Sequence, residues 1–569
     1  MRPVTVLLLI FFALNNNAFS QDQTLEWFTY FGDNDSHNSR LHVAIAPDGS
    51  VYTAGSIESD GLINGSGIHQ AFYAGGTDVY LAKFSESGSL IWCTNFGGAG
   101  LETCHGLEIN SQGKPVIIGS TDSDTGIAFG ESHQSERAGS GDDYIAVFEP
   151  TGEIAWSTYF GGENAEDNPK LTLDASDNII ISGLTYSEDL ATDGAHQQTI
   201  SNIINPEVFI AQFTSTGVLN WCTYFGSEET EVTESISSDS QNNIIVALRS
   251  ESNEGLATEN AYQSQSINQS PVLAKFSSEG ELLWSTYVSG EGDETNSSVV
   301  VDGNDDIYLA GGTESMENIA SENAFQEVNV PGEMWPGGTS IYIMKFNPSG
   351  NRIWGTYFGG LYSGIEVKGM SGLSQGIGFL HNSYFTDDLI FGESPFQTEI
   401  EGQTDAIIVR FSAEGGPVWA TAFGGEDFDA PIDLRWHENQ KFAIAGLTRS
   451  NDFYANESSW QGELAGGLND SFIALFQDNV LSQNNIYRES AELTAYPNPS
   501  ISGRFKLDWK LENLERADLT IYDLYGREIQ NIRGYQRNAQ LNLNLSNGIY
   551  FVGLKYRGNI HTKKVLILR

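Results

Sequence analysis

The chain has 569 residues, 61 of them glycine, with 11% aromatic and only 18% charged side chains, a composition that excludes disorder. No glycine period, sustained heptad or second long apolar run is present, which excludes collagen, a coiled coil and a multi-span membrane protein. Charge is divided unevenly: 492–569 holds 12 basic and 7 acidic residues, net +5, whereas 21–491 holds 15 basic and 68 acidic residues, net −53. A body this acidic repels phosphates and anionic lipid, so nucleic acid and membrane surfaces are poor partners, while cations and cationic surfaces remain open.

Residues 1–20 open with Arg2, continue through the apolar run VTVLLLIFFAL and end in Ala18-Phe19-Ser20. This predicts a signal peptide cut before Gln21, too short to serve as a membrane span, and so an exported protein. The three cysteines, Cys93, Cys104 and Cys222, are too few and too odd in number for a disulfide scaffold. Cys93 and Cys222 occupy one repeat position two units apart, which predicts strand side chains.

From there the chain repeats seven times. Trp27, Trp92, Trp156, Trp221, Trp284, Trp354 and Trp419 each open a W-x-T-x-F-G-G-like segment, at spacings of 63 to 70 residues. Each unit also carries a segment such as D78VYLAKF or D405AIIVRF, an apolar run ending in a G-x-T-like loop, and a fourth apolar segment after the FGG turn. Short β-branched or aromatic runs bounded by Gly, Asn, Asp and Ser read as strands. Four strands per unit, seven times, predict an all-β fold with a seven-bladed β-propeller of four-stranded blades. Gly88, Gly152, Gly217, Gly280, Gly350 and Gly415 each precede a Trp by four residues. Turns that short make hairpins, and a hairpin belongs to one sheet. The blade order is therefore apolar inner strand, G-x-T strand, Asp-led strand, Trp strand. That order strands Trp27–Phe31 at one end and Asp470–Phe476 at the other, so the two are expected to pair and close the ring. The repeats, through W-S-T-Y-F-G-G, D-x-N-I-x-x-x-G-x-T and D-x-F-I-A-x-F, resemble the SBBP family of seven-bladed propellers, and the likeness implies the fold alone.

A polar linker, 477–491, follows the propeller of 21–476. Residues 492–569 then alternate strands with NG, YG and RG turns, which predicts a small antiparallel β-sandwich. Tyr496-Pro497-Asn498-Pro499, LTIYDLYGREI, Leu545–Tyr550 and the Lys563-Lys564 strand resemble the type A C-terminal sorting domain of the Bacteroidetes type IX secretion system. The likeness implies that this machinery is a partner and that the protein passes through the periplasm to the cell surface or beyond.

Five of seven residues just after the FGG turn are carboxylates: Glu102, Glu166, Glu231, Glu294 and Asp429, with His37 and Gly364 in the other two units. Starting the innermost strands, they are expected at one mouth of the central channel. Three readings follow: each caps its own glycine turn, together they hold a cation such as Ca2+ through oxygen ligands, or they form a catalytic ring. A Gln recurs in all units, at 70, 134, 197, 263, 326, 397 and 461, preceded by His or an aromatic residue, a packing position whose amide ties the long loop to backbone. The hairpins lack the Asp of the sialidase Asp box, and only Arg40 is expected near the channel mouth to hold an acidic substrate. The expected function is a non-enzymatic binding or adhesion module for an extracellular glycan, protein or cation. The competing reading is a polysaccharide hydrolase or lyase with Glu166 and Asp429 as acid and base.

Overall fold

In the third repeat the chain forms the antiparallel strands Glu166–Leu173, Ile179–Thr185, Glu207–Phe213 and Leu219–Phe225, hydrogen-bonded in that order. The Asp-led strands are buried along their whole length in every repeat but two, where Arg410 and Gln477 are partly exposed. A strand with a sheet packed on each of its faces must be apolar on both, which is why these segments show no polar alternation. The connection to the Trp strand is tight: Thr214 N bonds Val218 O at 2.8 Å and Gly217 N bonds Thr214 O at 3.0 Å. Gly217 has φ 88° there, and the register slips between Gln212 and Phe213, the bulged turn that glycine permits.

The computed structural model describes residues 22–567 apart from 33–38, 61, 203, 330–339, 360–362, 384–391, 393, 438, 452, 456–458, 467–468, 480–493, 497–499, 501–502, 510–515, 523–527, 547 and 557–558. The signal peptide, His37, most of the linker and Pro497-Asn498-Pro499 lie outside the described residues.

Seven four-stranded sheets of this kind make up the body, and each innermost strand packs against the innermost strands of the preceding and following sheets, the last against the first. The result is a seven-bladed β-propeller. The seventh blade combines Asp429–Trp436, Lys441–Thr448 and Asp470–Asp478 with the N-terminal strand Gln23–Phe31. Trp27 pairs with Leu475 and Phe31 with Ser471, so the first and last strands of the repeat complete each other. The closing strand runs two residues past Phe476, because Asp478 has work of its own: its carboxylate accepts from Trp419 Nε1 at 3.2 Å and pairs with Arg410 at 2.7 Å.

The chain divides into two compact units, Met1–Val480 and Leu481–Arg569. The second is a small antiparallel sandwich of a three-stranded and a four-stranded sheet. Phe505 and Leu507 of one sheet and Leu519, Ile521, Val552, Leu554, Val565 and Ile567 of the other meet in a buried core, with Trp509 beside them.

Candidate functional site

The repeated carboxylates are buried, and each is held inside its own blade. Glu102 accepts from Gly98 N at 2.7 Å and Thr121 Oγ1 at 2.6 Å. Glu166 accepts from Gly162 N at 2.9 Å and Thr185 Oγ1 at 2.7 Å. Glu231 is held by Ser227 N and Ser250 Oγ, both at 2.8 Å. Glu294 accepts from Gly290 N at 3.1 Å and Thr313 Oγ1 at 2.9 Å, and Asp429 from Gly425 N at 2.7 Å and Ser450 Oγ at 2.8 Å. In the first four the carboxylate staples the FGG turn to the Thr or Ser that ends the G-x-T strand; Asp429 instead reaches Ser450, two residues past the end of its strand at Thr448. The five sit in five blades, and among the described residues no three His, Cys, Asp or Glu side chains are grouped so as to hold a metal ion. Glu166 and Asp429 belong to the third and seventh blades, and the structure does not bring them together as an acid and base.

A second acid faces four of these five, from the start of the Asp-led strand. A Cβ on Gly97 would lie 2.6 Å from both Asp78 Oδ1 and Glu102 Oε2, and one on Gly161 2.5 Å from Asp142 Cγ and from Glu166 Oε2. Glu207 with Glu231 and Asp405 with Asp429 repeat the pairing: Gly226 lies against both members of the first pair, and the Asp405 carboxyl crowds Gly424 in the second. The first glycine of FGG therefore has no space for a side chain. Burial pushes the carboxyls of Asp78, Glu166, Glu207 and Asp405 up to about 7, and a neighbouring carboxylate adds to the effect in each. Burial likewise raises Glu102, Glu231 and Glu294.

The recurring glutamine completes this latch. Gln134 Nε2 donates to Asp142 at 2.7 Å and its Oε1 accepts from Gly161 N at 3.0 Å; Gln70 and Gln397 donate to Asp78 and Asp405 at 2.9 and 3.0 Å. The preceding residue packs against aromatic rings whatever its identity: His69 on Phe129, His133 on Phe213, Phe396 on Phe476. Burial lowers His69 to about 4, so it is a neutral packing group. Cys93, Cys104 and Cys222 are free and buried.

The centre of the ring holds groups of which the sequence had marked only Arg40. Arg435, in the seventh blade, pairs with Asp433 at 2.9 Å and reaches Glu108 of the second blade at 3.4 Å. His42 of the first blade lies 3.6 Å from Asp433, and Arg249 pairs with Glu234 at 3.5 Å in the fourth. Arg40 contacts both ring nitrogens of His105 in the next blade. Lys170, one blade further, is held by Asn168 at 2.9 Å. Arg40 and Asn168 occupy left-handed backbone, φ 55° and 56°, where the inner strands bulge between Ser39 and His42 and between Asp167 and Lys170. Burial, then the charges of Arg40 and Lys170, lowers His105 to about 2; burial and Arg40 also lower Lys170. Apart from Arg40, these residues gave no signal in the sequence because no single residue type recurs at their repeat positions.

Residues 494–568 match the family model of the secretion system C-terminal sorting domain, so the chain carries a type IX sorting signal that directs it to the cell surface or extracellular space. In an alignment of 487 positions covering 74% of its length, the chain is 20% identical to an uncharacterized WD repeat-containing protein of Acanthamoeba polyphaga mimivirus, and it spans only 35% of that protein. Among solved structures it is similar to an ulvan lyase of polysaccharide lyase family PL25, at 12% identity and TM-score 0.40 over 74% of this chain and 92% of that one. It is also similar to PorZ, a surface component of the type IX secretion system of Porphyromonas gingivalis, at 10% identity and TM-score 0.30 over 95% and 75%. Among the described residues no helix is long and apolar enough to cross a membrane.

Proposed function

We propose that the propeller is an extracellular binding module for a glycan or protein, delivered by its sorting domain, and that its repeated carboxylates are structural latches. The observation that carries this reading is where the repeated polar residues are spent. In four of the seven blades a Gln and two acids bond to or crowd one glycine turn inside the blade, and that geometry leaves none of them directed at a substrate. What differs between blades is the long connection after the G-x-T strand, and variable loops on a rigid closed frame are where recognition is built. One such connection contributes to an open cleft lined by Ser140, Asn164, Ala165, Tyr186 and Glu188, where an exposed aromatic ring beside amide and carboxylate groups suits a sugar face. The signal peptide of 1–20, the SBBP repeat type and the domain limits 21–476 and 492–569 belong to the same reading. A glycan-array screen of the purified full-length protein, followed by incubation of each hit and product analysis, tests it. Binding without turnover supports the module; turnover abolished by Glu166→Gln would support the hydrolase or lyase instead.

A further inference from the structure

The seven innermost strands carry four of the fifteen Lys and Arg residues of a body whose sequence counts net −53 over 21–491: Arg40, Lys170, Lys368 and Arg435. At the centre of the ring Arg435 is matched to Asp433 and Glu108, His42 to Asp433, Arg249 to Glu234 and Lys368 to Glu366. Among the described residues no carboxylate lies within ion-pair distance of Arg40 or Lys170. His105 lies beside them: its ring contacts Arg40, its Nε2 lies 3.1 Å from Thr103 Oγ1, and the charges of both Arg40 and Lys170 act on it. Arg40 is exposed, and His105 and Lys170 are half-buried, so the group is open to solvent yet recessed. Arg40 and Lys170 repel each other, with Glu234, Asp167 and Asp143 acting on Lys170 from beyond ion-pair distance, and in an environment partly shielded from water that repulsion is screened poorly. Arg40 is moreover kept in left-handed backbone, φ 55°, a conformation that costs a non-glycine residue and persists only where the surroundings impose it.

We propose that Arg40 and Lys170, beside His105 at the centre of the ring, form a subsite for an anionic group, a carboxylate or sulfate ester, of an extracellular acidic glycan. The guanidinium of Arg40 offers a planar fork to two oxygens and Lys170 a point charge, while neutral His105 and Asn168 supply further polar contacts. A saccharide chain carries its anionic groups singly and spaced, which suits one forked and one point cation. The repulsion that the overall negative charge exerts on such a ligand is screened beyond about 8 Å at physiological salt, so the local cations govern the contact. The proposal rests on the reading of the propeller as a binding module and names its ligand class.

The test is calorimetric titration of the full-length protein with oligogalacturonate, its methyl ester, a sulfated galactan oligosaccharide, a neutral glucan oligosaccharide, polyglutamate and inorganic sulfate. Oligogalacturonate or the sulfated oligosaccharide is expected to bind, and which of the two binds more tightly identifies the anionic group. Affinity should fall about tenfold or more in Arg40→Gln and again in Lys170→Gln, fall with added NaCl, and be lost for the methyl ester if the carboxylate is the recognised group. If either variant fails to fold, the salt titration and the ester comparison on the unaltered protein decide alone. Affinity unchanged in both folded variants, or polyglutamate or free sulfate binding as tightly as the oligosaccharides, overturns the proposal. Tight binding of the neutral glucan alone refutes the subsite and leaves the binding-module reading standing. Binding to none of the probes refutes the subsite, and a blank glycan array would then remove the module as well. Turnover of a bound acidic oligosaccharide would remove the module and keep the subsite.

Discussion

The indole of Trp92 covers Gly152, the turn glycine of the following blade: a Cβ on Gly152 would stand 3.0 Å from the Trp92 ring. Trp92 Nε1 meanwhile donates to Pro150 O in the same turn at 3.1 Å. Trp27, Trp156, Trp221, Trp284 and Trp354 repeat the arrangement on Gly88, Gly217, Gly280, Gly350 and Gly415, each with its Nε1 on a carbonyl of the neighbouring turn at 3.0 or 3.1 Å. Trp27 belongs to the closing strand, so the same contact joins the seventh blade to the first; between the sixth and seventh, Trp419 Nε1 donates to Asp478 instead.

Gly152→Ala is therefore expected to destabilise twice over. Its φ is 93°, where an alanine costs about 1–2 kcal/mol, and the new methyl displaces the indole. Chemical denaturation should give a loss above 2 kcal/mol, and a cycle with Trp92→Ala should show coupling of about 1 kcal/mol or more. Additive losses would mean the ring and the glycine act independently.

Deleting 21–32 removes the strand that pairs with Asp470–Asp478. It also removes the Trp27 contact to Gly88. An opened ring exposes an unpaired apolar edge, so the truncated protein should melt lower and aggregate, read by light scattering. Unchanged melting and solubility would contradict closure through this strand.

Stability should fall as pH rises. Asp78, Glu166, Glu207 and Asp405 protonate at about 7 in the folded chain, against about 4 when unfolded. The folded state holds the extra protons between those values, so their contribution is complete below about pH 4 and lost as pH rises through about 7. The melting temperature should be lower at about pH 8.5 than at about pH 6, and Glu166→Gln should flatten that slope. A melting temperature that rises over this interval would show that the acid pairs do not carry shared protons.

Calcium should leave the protein indifferent. Glu102, Glu166, Glu231, Glu294 and Asp429 are capped separately, so melting in millimolar Ca2+ and in chelator should coincide, and substitutions in different blades should add. A calcium-dependent rise in melting temperature, blunted by Glu166→Gln, would restore the ion ring.

Removing 492–569 should leave the propeller folded but undelivered, because the sorting match covers 494–568. In a host with type IX secretion, fractionation should find the shortened protein in the periplasm; normal surface delivery would refute the role of the tail.

The sequence by itself determined the number of units, the strand order in each blade, the pairing of Trp27–Phe31 with Asp470–Phe476 and the two-sheet tail. These follow from local patterns, an apolar run, a turn glycine and a strand left over at each end, and local patterns are what one chain displays. The recurrence of Glu102, Glu166, Glu231, Glu294 and Asp429 was equally visible, but their destination was not. A strand start can turn its side chain toward the axis or back beneath its own turn, and the inner strands bulge just after Glu166, Glu231 and Asp429. Arg40, His105 and Lys170, spaced by 65 residues, stand at matching positions of consecutive repeats, but the sequence does not say that their side chains meet. Only the closing of consecutive blades around one axis sets them side by side, because distance across a ring depends on curvature, which no single repeat encodes.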